Sequence, residues 1–99
     1  MIVKTISGSR YEIDYSGICR KFDKENNHVD SFKVYVMKAI PTSISDIGEV
    51  WDVANGLPEV GKLMYVGGID GWWLSTEVIE IVEQEVSPPS RFRDVSNGE

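Results

Sequence analysis

Cysteine and histidine are almost missing from this chain: among 99 residues, Cys19 is the one thiol and His28 the one imidazole. A lone thiol excludes an intramolecular disulfide, and with it the bridge-held secreted mini-domain, so a reducing cytoplasm is the expected setting. Long apolar runs are also missing. No stretch approaches the ~20 residues that span a bilayer, and the opening "MIVKTISGSRYEID" lacks the apolar centre of a signal peptide, so no membrane association is expected. Basic residues are scarce in the second half: residues 41–99 hold three against eleven acids, whereas residues 1–40 hold seven against five, for a net charge of −6. An acidic chain is a poor ligand for a phosphate backbone. Its charge keeps it soluble and leaves room for a protein partner with a basic surface.

With 41% apolar and 26% charged residues, the chain has the make-up of one folded domain. "IVKTISGSRYEIDYSG" reads as a β-hairpin turning at Ser7-Gly8-Ser9. Tyr11, Ile13 and Tyr15 alternate with Arg10, Glu12 and Asp14, the period of a half-buried strand. "ICRKF" repeats the alternation, with Ile18, Arg20 and Phe22 on one side and Cys19 and Lys21 on the other. The polar "DKENNHVDS", residues 23–31, is expected as a mobile loop, and "FKVYVMKAI" as a strand ending before Pro41. Residues 42–56 leave two readings: a loop followed by a short strand, or one short helix in 43–55 capped by Ser43 and stopped at Asn55-Gly56. A strand over Lys62–Val66, a hairpin loop of Gly67-Gly68 and Asp70-Gly71, and a strand through "WWLSTEVIEIVEQE" follow. Short strands at this spacing predict a mainly β fold, a small single-domain SH3-like barrel or roll over residues 1–86. "SPPSRFRDVSNGE", residues 87–99, reads as a disordered C-terminal tail.

Candidate chemistry is thin. Cys19 has only His28 as a conceivable base, and His28 lies in an Asn/Asp-rich stretch with no second ligand type beside it, so no catalytic residue and no metal site are expected. "DKENNHVD" lacks the central Gly and terminal Glu of a calcium loop. "VGGIDG" runs into Trp72-Trp73 rather than into a helix carrying Lys and Ser/Thr, so it reads as a turn and not as a phosphate cradle, and no cofactor is implied. The aromatics are the better signal. Tyr65, Trp72 and Trp73 cluster across one hairpin, with Trp51 in the preceding segment. On an extended backbone the adjacent indoles point to opposite faces. One fills the core, and the other is left as an anchor for a partner, with Asp70 and Glu77 as its acidic edge.

Two fragments, "VKTISGSRYEID" and "VGKLMYVGGIDGWWLSTEVIEI", cover about a third of the chain. A short Gly-containing hairpin opens the chain, and a Trp-x-x-Ser-Thr-x-Val-x-x-Ile pattern closes it, here Trp72/Trp73, Ser75, Thr76, Val78, Ile79 and Ile81. Together they resemble small accessory proteins of bacteriophages that infect actinobacteria. The resemblance implies a non-enzymatic protein that binds, and inhibits or redirects, a host protein in the host cytoplasm; it carries no functional residue across. The alternatives are a nucleic-acid-binding barrel using Arg10, Arg20, Lys21, Lys24 and Lys33 with the same aromatics, and mimicry of DNA by the acidic second half. A strand left at an exposed edge would also permit a homodimer.

Overall fold

The computed structural model describes residues 1–83, so the expected tail over 87–99 lies outside the described residues. Seven strands form: β1 (Ile2–Thr5), β2 (Arg10–Ile13), β3 (Ile18–Phe22), β4 (His28–Lys33), β5 (Val36–Ile40), β6 (Leu63–Gly67) and β7 (Trp72–Val82). They make one antiparallel sheet in the order β4-β3-β2-β1-β7-β6-β5. The two strands at the ends of that order, β4 and β5, are consecutive in the chain and separated only by Val34 and Tyr35. At this bend the Val34 N–H donates to the Gly17 carbonyl at 2.9 Å, and the Tyr35 N–H to the Gly67 carbonyl at 2.8 Å. One continuous stretch therefore leaves the side of β3 and joins the side of β6. β7 is shared in the same way, its first half paired with β6 and its second half with β1. Two shared strands roll the sheet up on itself, giving the mainly β, single-domain roll that the alternation predicts.

The interior follows from period two. Val3, Tyr11, Cys19, Met64, Val66 and Val78 are buried together, with Phe32, Met37, Trp73 and Ile81 packed against them. A second core lies on the opposite face of β6, where Ile40, Val50 and Tyr65 meet Val36, Leu63 and Leu74. β6 is thus covered on both faces, which explains why "LMYV" reads as an unbroken apolar run. The cover on the second face is the segment between β5 and β6. Its anchors are the buried Lys38, whose ammonium donates to the Val53 carbonyl, and the Gly56 N–H, which donates to Met37 O at 2.8 Å.

Three expectations are corrected. Residues 28–31, expected within a mobile loop, belong to β4. β4 lies at one end of the strand order with most of its side chains exposed, so polar residues suit both its faces and no apolar alternation marks it. Residues 42–56 hold no strand; Ile47–Asp52 is a 3-10 helix inside the 43–55 window. Its cap is Asp46, not Ser43: the Asp46 carboxylate accepts from the Gly48 N–H at 2.8 Å, and the Glu49 side chain accepts from the Asp46 N–H. Six residues with a glycine among them are too few to propagate an α-helix. Finally, the alternation of β2 ends at Ile13. Tyr15 is exposed, and it is Asp14 that is buried.

Asp14 is buried because it organises the β2–β3 turn. Its carboxylate accepts from the Ser16 N–H at 2.9 Å, the Ser16 hydroxyl at 2.6 Å, the Ile18 N–H at 3.1 Å and the Arg20 guanidinium at 3.1 Å. Burial pushes its pKa up, but these donors outweigh burial and hold the carboxyl below its ordinary value. Gly68, after β6, has a different constraint: a Cβ there would lie 2.3 Å from the Lys33 carbonyl oxygen, so only glycine lets the β6–β7 hairpin pass the end of β4.

Candidate functional site

The β6–β7 hairpin divides its tryptophans as an extended backbone requires. Trp73 stands opposite Val66 and turns inward, its ring 4.5 Å from Phe32 and 5.8 Å from Tyr11 between centroids. Trp72 stands opposite Gly67 and turns outward, 54% exposed. Its indole stacks on Tyr65 at 5.9 Å with 28° between the planes. Tyr65, two residues before Gly67, lies on the same face of β6 and is only 5% exposed. A side chain at Gly67 would run into the Tyr65 ring, its Cβ 2.9 Å from the hydroxyl, so this glycine gives the phenol its place.

The third wall comes from the 3-10 helix. Val50 is buried beneath it, while Trp51 projects outward, 67% exposed, and meets Tyr65 edge-on at 5.8 Å and 70°. Ile47, Val50, Trp51, Tyr65 and Trp72 line a hollow of about 150 Å³, close to the size of an apolar cavity that admits a six-carbon ring. A second, more polar groove of about 550 Å³ lies on the other side of Trp72, lined by Asp30, Ser31, Phe32, Lys33, Asp70, Gly71 and Trp73. Trp72 is the ridge between the two. Exposed acids flank it: Asp52 on the turn that carries Trp51, Asp70 on the hairpin loop and Asp30 on β4.

The expected anchor set is therefore divided. Trp72 and Asp70 stand together at the surface, and Tyr65 is the floor beneath Trp72 rather than a free contact. Trp73 is partly buried, packed against the main core while also contributing to the wall of the second groove. Glu77 pairs with Leu63, at the far end of the β6–β7 ladder from Trp72, and lines neither groove. Ile47 and Val50 escape sequence reasoning because they join the hollow only once residues 47–52 fold over β6; the visible signal was the indole of Trp51.

The remaining candidates settle elsewhere. Cys19 is fully buried, and burial pushes its thiol up to about 12, the approach of Arg20 notwithstanding. His28 is exposed and packs on Phe22 at 5.4 Å. Cys19 faces Phe32 in the β3–β4 ladder and His28 faces Phe22, so the two stand apart on opposite ends of the pairing. Among the described residues, no group of three or more His, Cys, Asp and Glu side chains could hold a metal ion. No helix in the described residues is long and apolar enough to cross a membrane. The basic strip is broken up: Arg20 is paired with Asp14, Arg10 with Glu12 at 3.0 Å, and Lys21 lies near the rings of Tyr11 and Trp73. No protein-family model, no curated protein and no solved structure matches this chain.

Proposed function

We propose that the chain is a non-enzymatic interaction module, a phage-type accessory protein that binds a host protein in the host cytoplasm and inhibits or redirects it. The observation that supports this most is the exposure of Trp72 and Trp51 at 54% and 67%, over a buried Tyr65. Water-exposed indoles lining a small hollow cost solubility and leave much of their surface unused by the core, whereas a partner side chain seated between them would be enclosed by aromatic surface. Asp70 and Asp30 in the groove on the other side of Trp72 would steer a basic partner and disfavour nucleic acid, whose phosphates they would repel. Stacking of unpaired bases would in addition need an open ring face with cations nearby. Lys33 in the groove beside Trp72 stands among Asp30 and Asp70, and Lys62, the one basic residue in 41–87, is paired with Glu59 at 3.2 Å.

The test is capture from an actinobacterial lysate with three baits: wild type, Trp72→Ala, and Glu25→Ala as an exposed control in the β3–β4 connection. Wild type and the control are expected to retain the same protein and Trp72→Ala to lose it. Equal retention by all three baits would remove the hollow as the binding surface.

A further inference from the structure

The hollow has a candidate guest within the chain's own sequence. After β7 the sequence reads "EQEVSPPSRFRDV", in which Pro88-Pro89 is followed at once by Arg91 and Arg93. We propose that the Ser87–Arg93 segment of a second copy docks in the hollow between Trp51 and Trp72, so that the protein associates with itself, tail to groove. This rests on the reading of the hollow as a docking site and names one occupant for it.

Three observations favour this guest. The first is shape. A Pro-Pro pair prefers the extended polyproline II conformation and presents flat rings with little entropy to lose, the form that aromatic-lined grooves accept. The hollow offers two exposed indoles on either side of a buried phenol. The second is charge. Lys62 is the only basic residue between 41 and 87, so Arg91 and Arg93 are the first cations after an acidic half-chain. Carried across Trp72, they would meet Asp70 and Asp30 in the neighbouring groove, and a guanidinium can also lie flat on an indole. The third is reach. Pro89 lies six residue steps beyond Glu83, and at full extension these span at most about 21 Å. β7 runs eleven residues from Trp72 to Val82, roughly 33 Å of strand, and the tail would have to double back along it. Measured along the strand, Pro89 does not reach back to Trp72, and the proline pair is assigned to the groove of a neighbour. Each copy carries one groove and one tail, so reciprocal exchange closes a dimer, and one-way docking builds a longer series.

The experiment is light scattering on the full chain across about 10 µM to 1 mM, the range in which single peptide grooves saturate. Wild type is expected to rise in mass with concentration. Trp72→Ala, which spoils the groove, and Pro88→Ala with Pro89→Ala, which spoils the tail, are each expected to stay monomeric. An equimolar mixture of the two variants retains one intact groove and one intact tail, and is expected to recover a one-to-one complex. Arg91→Glu with Arg93→Glu reverses the tail charge outside the described fold and is expected to weaken association about tenfold or more. A wild type that stays monomeric throughout, a mixture that does not recover, or association that survives both variants would overturn the proposal. The host-capture experiment is independent: self-association can fail while Trp72 still governs capture, and capture can fail while tail and groove still pair.

Discussion

Replacing each tryptophan of the pair with alanine in turn tests the division of labour between them. Trp73 touches both Tyr11 and Phe32 and lies among strands whose backbones are tied on both sides, so the space it leaves cannot collapse. Large-to-small changes at such sites cost about 3–5 kcal/mol. Trp72 is 54% exposed and hides less than half of its surface. A tryptophan buries 150–250 Å² when covered, so about 100 Å² is at stake, worth at most ~2.5 kcal/mol. The residual burial of an alanine and the compactness of the denatured chain reduce this to about 1–2 kcal/mol. The hollow simply widens into water, and no closed void forms. A domain of this size holds about 5–10 kcal/mol in total, so Trp73→Ala removes roughly half of it, while Trp72→Ala leaves a folded protein. In thermal terms the shifts are about 15–25 °C and about 5–10 °C. Urea titration followed by far-ultraviolet circular dichroism reads both without depending on the fluorescence of the residue removed. Equal costs, or a larger cost at Trp72, would refute the inward and outward assignment and with it the use of Trp72→Ala as a clean probe of binding.

Other sites give equally direct expectations. Because the folded-state pKa of Asp14 is lowered, its contribution to stability is complete above the ordinary carboxylate value and drains away as pH falls through the folded value. Asp14→Asn should therefore cost about 2–4 kcal/mol near neutrality, where it leaves Arg20 without its ion pair, and the gap to wild type should narrow below about pH 4; a gap in urea midpoint that stays constant between pH 7 and pH 2.5 contradicts this. Gly68→Ala places a methyl against the Lys33 carbonyl, which belongs to rigid backbone, and should lower stability by about 3 kcal/mol; an unchanged melting temperature counts against that close approach. Cys19, fully buried with its thiol pushed up to about 12, should resist iodoacetamide at pH 8 in the native protein and react in urea, as mass spectrometry would show. Rapid native alkylation would mean that the interior opens.

Strands with one wet and one dry face were legible in the sequence. Tyr11 and Ile13, Cys19 against Ile18 and Arg20, and the outward and inward pair Trp72 and Trp73 all follow from period two, because each strand side meets one environment. The readings failed where that condition fails. β4 is exposed along most of its length, with only Phe32 reaching the core, so it carries no alternation to read. Asp14 looked like a surface acid, since nothing local announces that Ser16, Ile18 and Arg20 will converge on it. The candidate site was half legible. The indole of Trp72 could be found, but its walls at Ile47, Val50 and Trp51 arrive from a segment whose placement depends on tertiary contacts such as that between Lys38 and Val53.

β7 joins strands far apart in the chain: Ile2 lies opposite Val82, while the same strand supplies Trp72 beside Gly67. As the chain emerges from a ribosome, β1 and β2 must wait until β7 has been made before the seam can be sewn. Until then Val3, Met64 and Val66 lack the strand that covers them. Sealing by so distant a partner makes folding slow for so short a protein, on the millisecond-to-second scale of barrels with non-local pairing. A chain cut short before residue 78 would be left with two unjoined half-sheets.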